Sequence, residues 1–397
     1  MANLKRYFSL YYFSSVVEGA LYNTYMALFL STVKGISAAD ITILMSAGFL
    51  VSVTISPLFG ILVDKIRSYN ILFYFSIISY LITIAAWLQV DSMPLLYASF
   101  IVYTISKMPI QTLGDMFAAE SQKRGLIDFG KVRSFAAVGY AITPMILGFV
   151  FSTLFQGIIS YELIMALMSG IVIMNAIINL KIASLIKFEK KPKNEKKGFH
   201  ITRNQAVSLF FLMCSSLIFN GTNNVSVNFQ SLYIQEILYS TSFIGIVVFA
   251  GSVLEWPLMR LSTRIHNRLG LFNSLFLLCG FVIVRWLLYY FAGRFHSLLL
   301  LLAGSSINGI GQALFLPLSI RYIRQIASSD NFGFLFTLNG SLNAIVNWLF
   351  YQGVSQLTLF LDLAHIYLVF AGFAVVWLCL LLIWRMFTPY FTSELQE

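Results

Sequence analysis

Charged residues are scarce in this chain. Only 11% of its 397 residues are charged and 58% are hydrophobic, whereas soluble domains average about 25% charged residues. This composition excludes an ordinary water-soluble domain, a disordered chain and a coiled coil. Cysteine is also rare, and Cys214, Cys279 and Cys379 each lie within an apolar run, so no disulfide framework is indicated. The composition predicts an all-α polytopic membrane protein.

Sequence signals for enzymatic chemistry are missing as well. The sequence has no Walker motif to bind ATP, and its four histidines are far apart and do not have the spacing of metal ligands. We therefore expect no enzyme activity, no cofactor and no metal site. The net charge of +10 does not indicate nucleic-acid binding, because the Lys and Arg residues lie between apolar runs.

Twelve apolar runs are long enough to cross a membrane as helices, which takes about 20 residues each. The predicted spans are residues 8–31, 41–63, 70–90, 94–118, 132–156, 159–186, 206–233, 242–263, 270–292, 296–324, 332–358 and 363–387.

The distribution of Lys and Arg predicts the orientation of these spans. If both termini are cytoplasmic, only Lys34 and Arg294 lie outside. This asymmetry predicts a multi-pass protein of the cell membrane with both termini in the cytoplasm. The short outer loops favour a bacterial inner membrane.

The two halves of the chain share short motifs about 200 residues apart. Ser56-Pro57-Leu58 is echoed by Trp256-Pro257-Leu258, and Asp128-Phe129-Gly130 by Asn331-Phe332-Gly333. Together with the twelve spans, these repeats predict two pseudo-symmetric six-helix bundles, an arrangement common among carriers.

A basic segment, KFEKKPKNEKKGFHITR, separates the halves. Its composition predicts a solvated cytoplasmic linker, with binding of lipid head groups as the alternative. The predicted domains are therefore a first bundle at 1–186, a linker at 187–204 and a second bundle at 205–397.

Charged side chains inside the predicted spans should face a cavity or a partner, because each costs about 2.5–3.5 kcal/mol at the bilayer centre. They are Glu18, Lys107, Asp115, Arg133, Glu255 and Arg285. Glu18 and Lys107 both fall near mid-membrane, so they could pair and offset each other's desolvation. Glu255 either carries a proton or pairs with Arg285, and the sequence leaves both open.

Other polar side chains recur at intervals of four, which places them on one helix face. These stripes are Glu18 and Tyr22; Lys107, Gln111 and Asp115; Asn220, Asn224 and Asn228; Asn308 and Gln312; and Asn339, Asn343 and Asn347. Amides can join helices through interhelical hydrogen bonds. Because stripes occur in both halves, we favour the alternative that they line a shared aqueous cavity.

The segment GILVDKIR at 60–67 resembles the signature of the loop between helices two and three in the major facilitator superfamily. The trailing residues Ser68-Tyr69-Asn70 depart from that pattern. The resemblance implies the major facilitator fold, with Gly60, Asp64 and Lys65 in a conformational latch.

The segment DFGKVRSFAAVGY at 128–140 resembles the start of helix five in the lactose permease group of oligosaccharide:proton symporters. In that group the arginine binds sugar hydroxyls and pairs with a carboxylate eighteen residues earlier, and an aromatic ring stacks on the sugar. The resemblance implies these roles for Arg133, Asp115 and Tyr140.

The second half departs from this group. Arg285 matches the helix-nine arginine, but Asn308 and Gly311 stand where the group has the His and Glu of proton coupling. The coupling chemistry of that group therefore does not carry over. If protons are used, Glu255, Glu18 or Asp115 must carry them.

The sequence thus predicts a secondary transporter that works by alternating access as a monomer, taking up a sugar, oligosaccharide or nucleoside-like solute with protons. The predicted solute ligands are Asp115, Arg133, Tyr140, Glu18, Tyr22, Lys107, Gln111, Asn224, Asn308, Gln312, Asn343 and Asn347. Proton coupling is assigned to Glu255, Arg285 and Asp115. The alternatives are a proton-driven exporter of amphipathic compounds and a membrane sensor or scaffold that does not transport.

Overall fold

The computed structural model describes residues 2–65, 69–155, 157–186, 203–326 and 332–387. Within these ranges the regular structure is helical, in twelve helices. They are α1 Ala2–Thr32, α2 Ala38–Lys65, α3 Asn70–Gln89, α4 Met93–Lys123, α5 Phe129–Leu154, α6 Tyr161–Leu185, α7 Arg203–Leu238, α8 Ile244–Val253, α9 Glu255–Phe295, α10 Leu298–Ile326, α11 Phe332–Leu357 and α12 Leu363–Phe387.

Eight of the described helices are long and apolar enough to cross a membrane: α2 to α6, α9, α10 and α12. The described parts of α1, α7 and α11 do not meet that criterion. These three helices carry Glu18 and the asparagine stripes, whose polar side chains lower the mean hydropathy. The twelve helices match the twelve predicted spans in number, and eight of them qualify as spans by hydropathy.

Local sequence signals account for the starts of α5 and α6. The Asp128 side chain caps α5 by accepting from the Lys131 N–H at 3.3 Å, and Ser160 caps α6 by accepting from the Leu163 N–H at 3.3 Å. Gly125, in the turn before α5, has a φ of 68°, which glycine adopts without steric strain.

The predicted eighth and ninth spans differ from the structure. The expected helix 242–263 is interrupted, because α8 ends at Val253 and α9 begins at Glu255. Pro257 has no N–H to donate to the Val253 carbonyl, which explains the break. The expected loop after residue 263 is helical, and the second interruption falls at Gly270, whose φ of 74° and ψ of 171° are not helical.

The chain divides into two compact units. The first comprises Met1–Lys191, Val227–Phe249 and Tyr351–Leu359, and the second comprises Pro192–Ser226, Ala250–Phe350 and Phe360–Glu397. In the first unit α1 packs against α5 and α6, while α4 packs against α2 and α3.

In the second unit α9 packs against α10 and α12. Residues 187–202 of the expected linker lie outside the described residues. The division of the chain at 187–204 therefore stays a prediction.

Candidate functional site

A buried ion pair joins α1 to α4 in the first unit. Lys107 Nζ of α4 is 2.5 Å from Glu18 Oε2 of α1. The hydroxyls of Tyr80 and Tyr103 each donate to Glu18 Oε1 at 2.8 Å, and Lys107 also donates to the Tyr103 hydroxyl at 3.1 Å. The predicted pairing of Glu18 with Lys107 is confirmed, and the carboxylate has three donors that offset its desolvation.

The two charged groups differ in accessibility. The Lys107 side chain is 18% exposed, whereas that of Glu18 is 2% exposed. Tyr22, one turn after Glu18 on α1, is half-buried and stacks on the Tyr103 ring with centroids 4.6 Å apart. The lysine and Tyr22 therefore form the accessible edge of the cluster, and the carboxylate lies behind them.

Aromatic rings form the buried wall behind this edge. Trp87 and Phe100 are fully buried, and the Trp87 ring lies 5.0 Å from Tyr103 and 5.1 Å from Phe100. Lys107 Nζ is 4.9 Å from the centroid of the Tyr103 ring, a cation–π distance. The low-polarity wall strengthens the electrostatic interactions inside the cluster.

The residues implied by the sugar-symporter resemblance are arranged differently. Asp115 is exposed on α4, and its Oδ1 accepts from the Tyr12 hydroxyl at 2.8 Å. Among the described residues it forms no ion pair with Arg133, which is also exposed. The described residues therefore do not form the implied pair: the Asp115 carboxylate bonds Tyr12 instead, and an ion pair between two exposed groups would contribute little. Tyr140 accepts from the Asn23 amide at 3.4 Å.

Asparagines of α7 and α11 bond to one another in the second unit. Asn220 donates to Asn343 Oδ1 at 3.0 Å, and Asn224 donates to Asn347 Oδ1 at 2.9 Å. Asn343 in turn donates to Ser216 Oγ at 3.0 Å. These bonds make the amides interhelical links, and their predicted contact with a solute stays a prediction.

A third pair of the same kind lies in the first unit. There Asn228 of α7 donates to the Tyr351 hydroxyl of α11. The Phe49 ring of α2 packs on Tyr351, with centroids 5.3 Å apart. All three α7–α11 pairs are separated by 123 residues in sequence, so four-residue spacing on each helix keeps the partners in register.

Arg285 is a second buried cation, 2% exposed in the second unit. Its guanidinium donates to Asn223 Oδ1 at 2.8 Å and to Ser226 Oγ at 3.5 Å, and it lies 4.0 Å from the Trp286 ring centroid. No carboxylate of the described ranges lies within ion-pair distance of it. The alternative that Arg285 pairs with Glu255 is therefore not realised in the structure.

The remaining predicted residues take scattered positions. Glu255 is half-buried at the start of α9, Asn308 and Gln312 are half-buried on α10, and Gln111 is exposed on α4. The predicted latch residues Gly60, Asp64 and Lys65 lie in the last turns of α2. The described residues bring together no three His, Cys, Asp or Glu side chains that could hold a metal ion.

Sequence reasoning missed Tyr80, Tyr103 and Tyr12 as partners of the buried and exposed carboxylates. Tyr103 stands four residues before Lys107, a spacing that could have indicated it. Tyr80 and Tyr12 reach their carboxylates from other helices, and no local pattern marks them.

The profile of the MFS_1 like family matches residues 4–346. The chain belongs to the MFS_1 like family. The major facilitator resemblance is thereby confirmed, and the protein is a multi-pass membrane transporter of that type.

Two relatives of this MFS_1 like transporter are themselves transporters. "Uncharacterized transporter YwbF" of Bacillus subtilis (strain 168) is 24% identical over 325 residues, covering 81% of this chain and 79% of the relative. "Probable 3-phenylpropionic acid transporter" of Escherichia coli (strain K12) is 25% identical over 293 residues, covering 71% of this chain and 73% of the relative.

Solved structures agree on the fold. The nucleoside transporter NupG matches with a TM-score of 0.73 at 14% identity, over 96% of this chain and 99% of that one. The POT family transporter PepTSo matches with a TM-score of 0.78 at 10% identity, over 100% of this chain and 99% of that one. At these identities the likeness shows the major facilitator fold alone.

Proposed function

We propose that this transporter takes up a small, ring-bearing polar solute together with protons, by alternating access. Sugars and nucleoside-like compounds are the classes expected from the sequence, and an aromatic acid is the substrate named for one relative. The functional unit is one chain in a bacterial inner membrane, with both termini in the cytoplasm.

The observation that carries this proposal is the Glu18–Lys107 pair. A charge pair inside a span is costly and is retained chiefly where a solute or ion passes. Lys107 and Tyr22 are accessible at the edge of the cluster, so they can supply a charged ligand and a ring surface. Glu18, directly behind them, can hold a proton.

The proposal is tested with the purified protein in proteoliposomes. An inward proton gradient should drive accumulation of at least one labelled solute from a panel of lactose, uridine and 3-phenylpropionate, and a protonophore should abolish it. Asp115→Asn tests the ligand role of the exposed carboxylate and should slow uptake. Asp91→Asn, which removes only the loop partner of Lys34, is its matched control.

The direction of transport separates the main proposal from the exporter. An importer raises the solute content of cells that express it, whereas an exporter of amphipathic compounds lowers it. The proposal is contradicted if every solute of the panel moves only down its own concentration gradient and the proton gradient has no effect on the rate or extent of its uptake.

A further inference from the structure

The two oxygens of the Glu18 carboxylate have different partners. Oε1 accepts from both the Tyr80 and Tyr103 hydroxyls, while Oε2 is bonded to Lys107 Nζ. If Lys107 moves away, Oε1 keeps its two donors and Oε2 loses its cation. Oε2 is therefore the atom at which a proton can replace the lysine.

Among the residues that the structure describes, Lys107 is the one cation that forms an ion pair with Glu18. Tyr22 of α1, Tyr80 of α3 and Tyr103 of α4 are the other titratable groups against it. Helix α3 has no charged residue. Among the described side chains of α2, α5 and α6, none forms an ion pair with Glu18. Glu18 and Lys107 thus form a buried ion pair whose net charge is zero.

Because a lone charge in a low-dielectric interior is strongly disfavoured, the buried cluster around Glu18 and Lys107 must stay close to neutral. An anion that binds Lys107 takes the place of Glu18 and leaves a second negative charge in the cluster. Neutrality is restored when Glu18 binds one proton. A neutral solute does not compete for Lys107, so its binding leaves the ion pair intact and requires no proton at Glu18.

Resting on the proposed function, we propose that the solute is a small organic monocarboxylate and that Lys107 and Glu18 exchange partners when it binds. The solute carboxylate pairs with Lys107 Nζ, and a proton from water binds Glu18 Oε2. The half-buried Tyr22 ring, stacked on Tyr103, supplies an apolar surface for the rest of the solute. One proton is taken up with each anion, and the net charge of the cluster is zero before and after.

Calorimetric titration of the purified protein measures this exchange directly. Benzoate and 3-phenylpropionate are the probes, and 3-phenylpropanol is the neutral analogue. Titrations at pH 7 in buffers with different ionisation enthalpies report the protons taken up per ligand bound. The wild type should take up about one proton per carboxylate, as neutralising a single buried charge requires. It should bind 3-phenylpropanol without proton uptake or not at all.

Three variants of the pair and one control variant separate the roles of Glu18 and Lys107. Glu18→Gln stays neutral and still accepts from both tyrosines. Because the Lys107 side chain is 18% exposed, water can take the place of Glu18 at its ammonium group, so this variant should bind the carboxylates without proton uptake. Lys107→Gln should lose their binding. Lys34→Gln removes a lysine that is ion-paired at 2.6 Å outside the cluster, so it should behave as the wild type. The double variant Glu18→Gln/Lys107→Gln contains neither charge and should fold and bind no carboxylate.

The inference is overturned if no carboxylate binds, if wild-type binding takes up no proton, or if Glu18→Gln still takes up one. It is equally overturned if Lys107→Gln or the double variant binds as tightly as the wild type. If protons drive the uptake of lactose or uridine and no carboxylate binds, this inference is wrong and the proposed function is still supported. If carboxylates bind with proton uptake but no solute is taken up with protons, the inference is supported and the proposed function is wrong.

Discussion

At the scale of single residues, the most consequential side chain is Glu18. Its carboxylate is held by Tyr80 from α3 and by Tyr103 and Lys107 from α4. A hydrogen bond to a buried charged group contributes about 1.5–3 kcal/mol, more than a neutral one. These three donors therefore hold α1, α3 and α4 in a single relative arrangement.

Tyr80→Phe removes one of the two hydroxyls at Glu18 Oε1 without changing the ring. We expect it to lower the free energy of unfolding by about 1.5–3 kcal/mol, since the lost bond is to a buried charged acceptor. The measurement is thermal unfolding in detergent, followed by size-exclusion chromatography with fluorescence detection.

Tyr161→Phe is the control for this change. Its hydroxyl bonds Thr32 Oγ1 at 2.9 Å at an exposed position, where substitutions usually change stability by less than about 0.5 kcal/mol. If the two substitutions lower the free energy of unfolding equally, the Tyr80–Glu18 bond contributes no more to stability than the exposed Tyr161–Thr32 bond.

The partners of individual charges were only partly predictable. Glu18 and Lys107 could be paired from sequence because both fall near the middle of their spans. For Arg285 the sequence offered Glu255, whereas the structure provides Asn223, Ser226 and the Trp286 ring. Which side chains of a neighbouring helix contact a charged residue depends on how each helix is rotated about its axis. The spacing of residues along one helix does not give that rotation.

At the scale of helices, close backbone contact joins α5 to α8 in the first unit. A Cβ placed on Gly245 would lie 2.4 Å from the Pro144 carbonyl oxygen, and one on Gly148 would lie 3.2 Å from the Gly245 Cα. Both glycines therefore permit an approach that any larger residue would prevent.

Gly245→Ala is expected to destabilise the protein by about 1–3 kcal/mol, because the added methyl group overpacks a contact with rigid backbone. Gly170→Ala on α6, where a Cβ would meet nothing within 4 Å, should instead leave stability unchanged or raise it by about 0.4–1 kcal/mol. Thermal unfolding of the two variants in the same detergent distinguishes them. A Gly245→Ala protein as stable as the Gly170→Ala protein contradicts the close contact.

At the scale of the whole molecule, the distribution of Lys and Arg predicts the orientation in the membrane. A phosphatase reporter that is active only outside the cytoplasm should be active when fused after Gly35, between α1 and α2. It should be inactive at the C-terminus, where a fluorescent protein should instead mature. Phosphatase activity at the C-terminus would contradict the predicted topology.

The sequence by itself determined the helical membrane class, the number of helices and the family resemblance, because each depends on composition or on patterns within one segment. Only the tertiary structure decided which groups surround Glu18, since Tyr80 and Tyr103 lie 62 and 85 residues away. It likewise decided that Asp115 meets Tyr12 and that the α7 and α11 amides meet each other. Such contacts depend on how helices rotate and pack against one another, and those quantities are not encoded in any single stretch of chain.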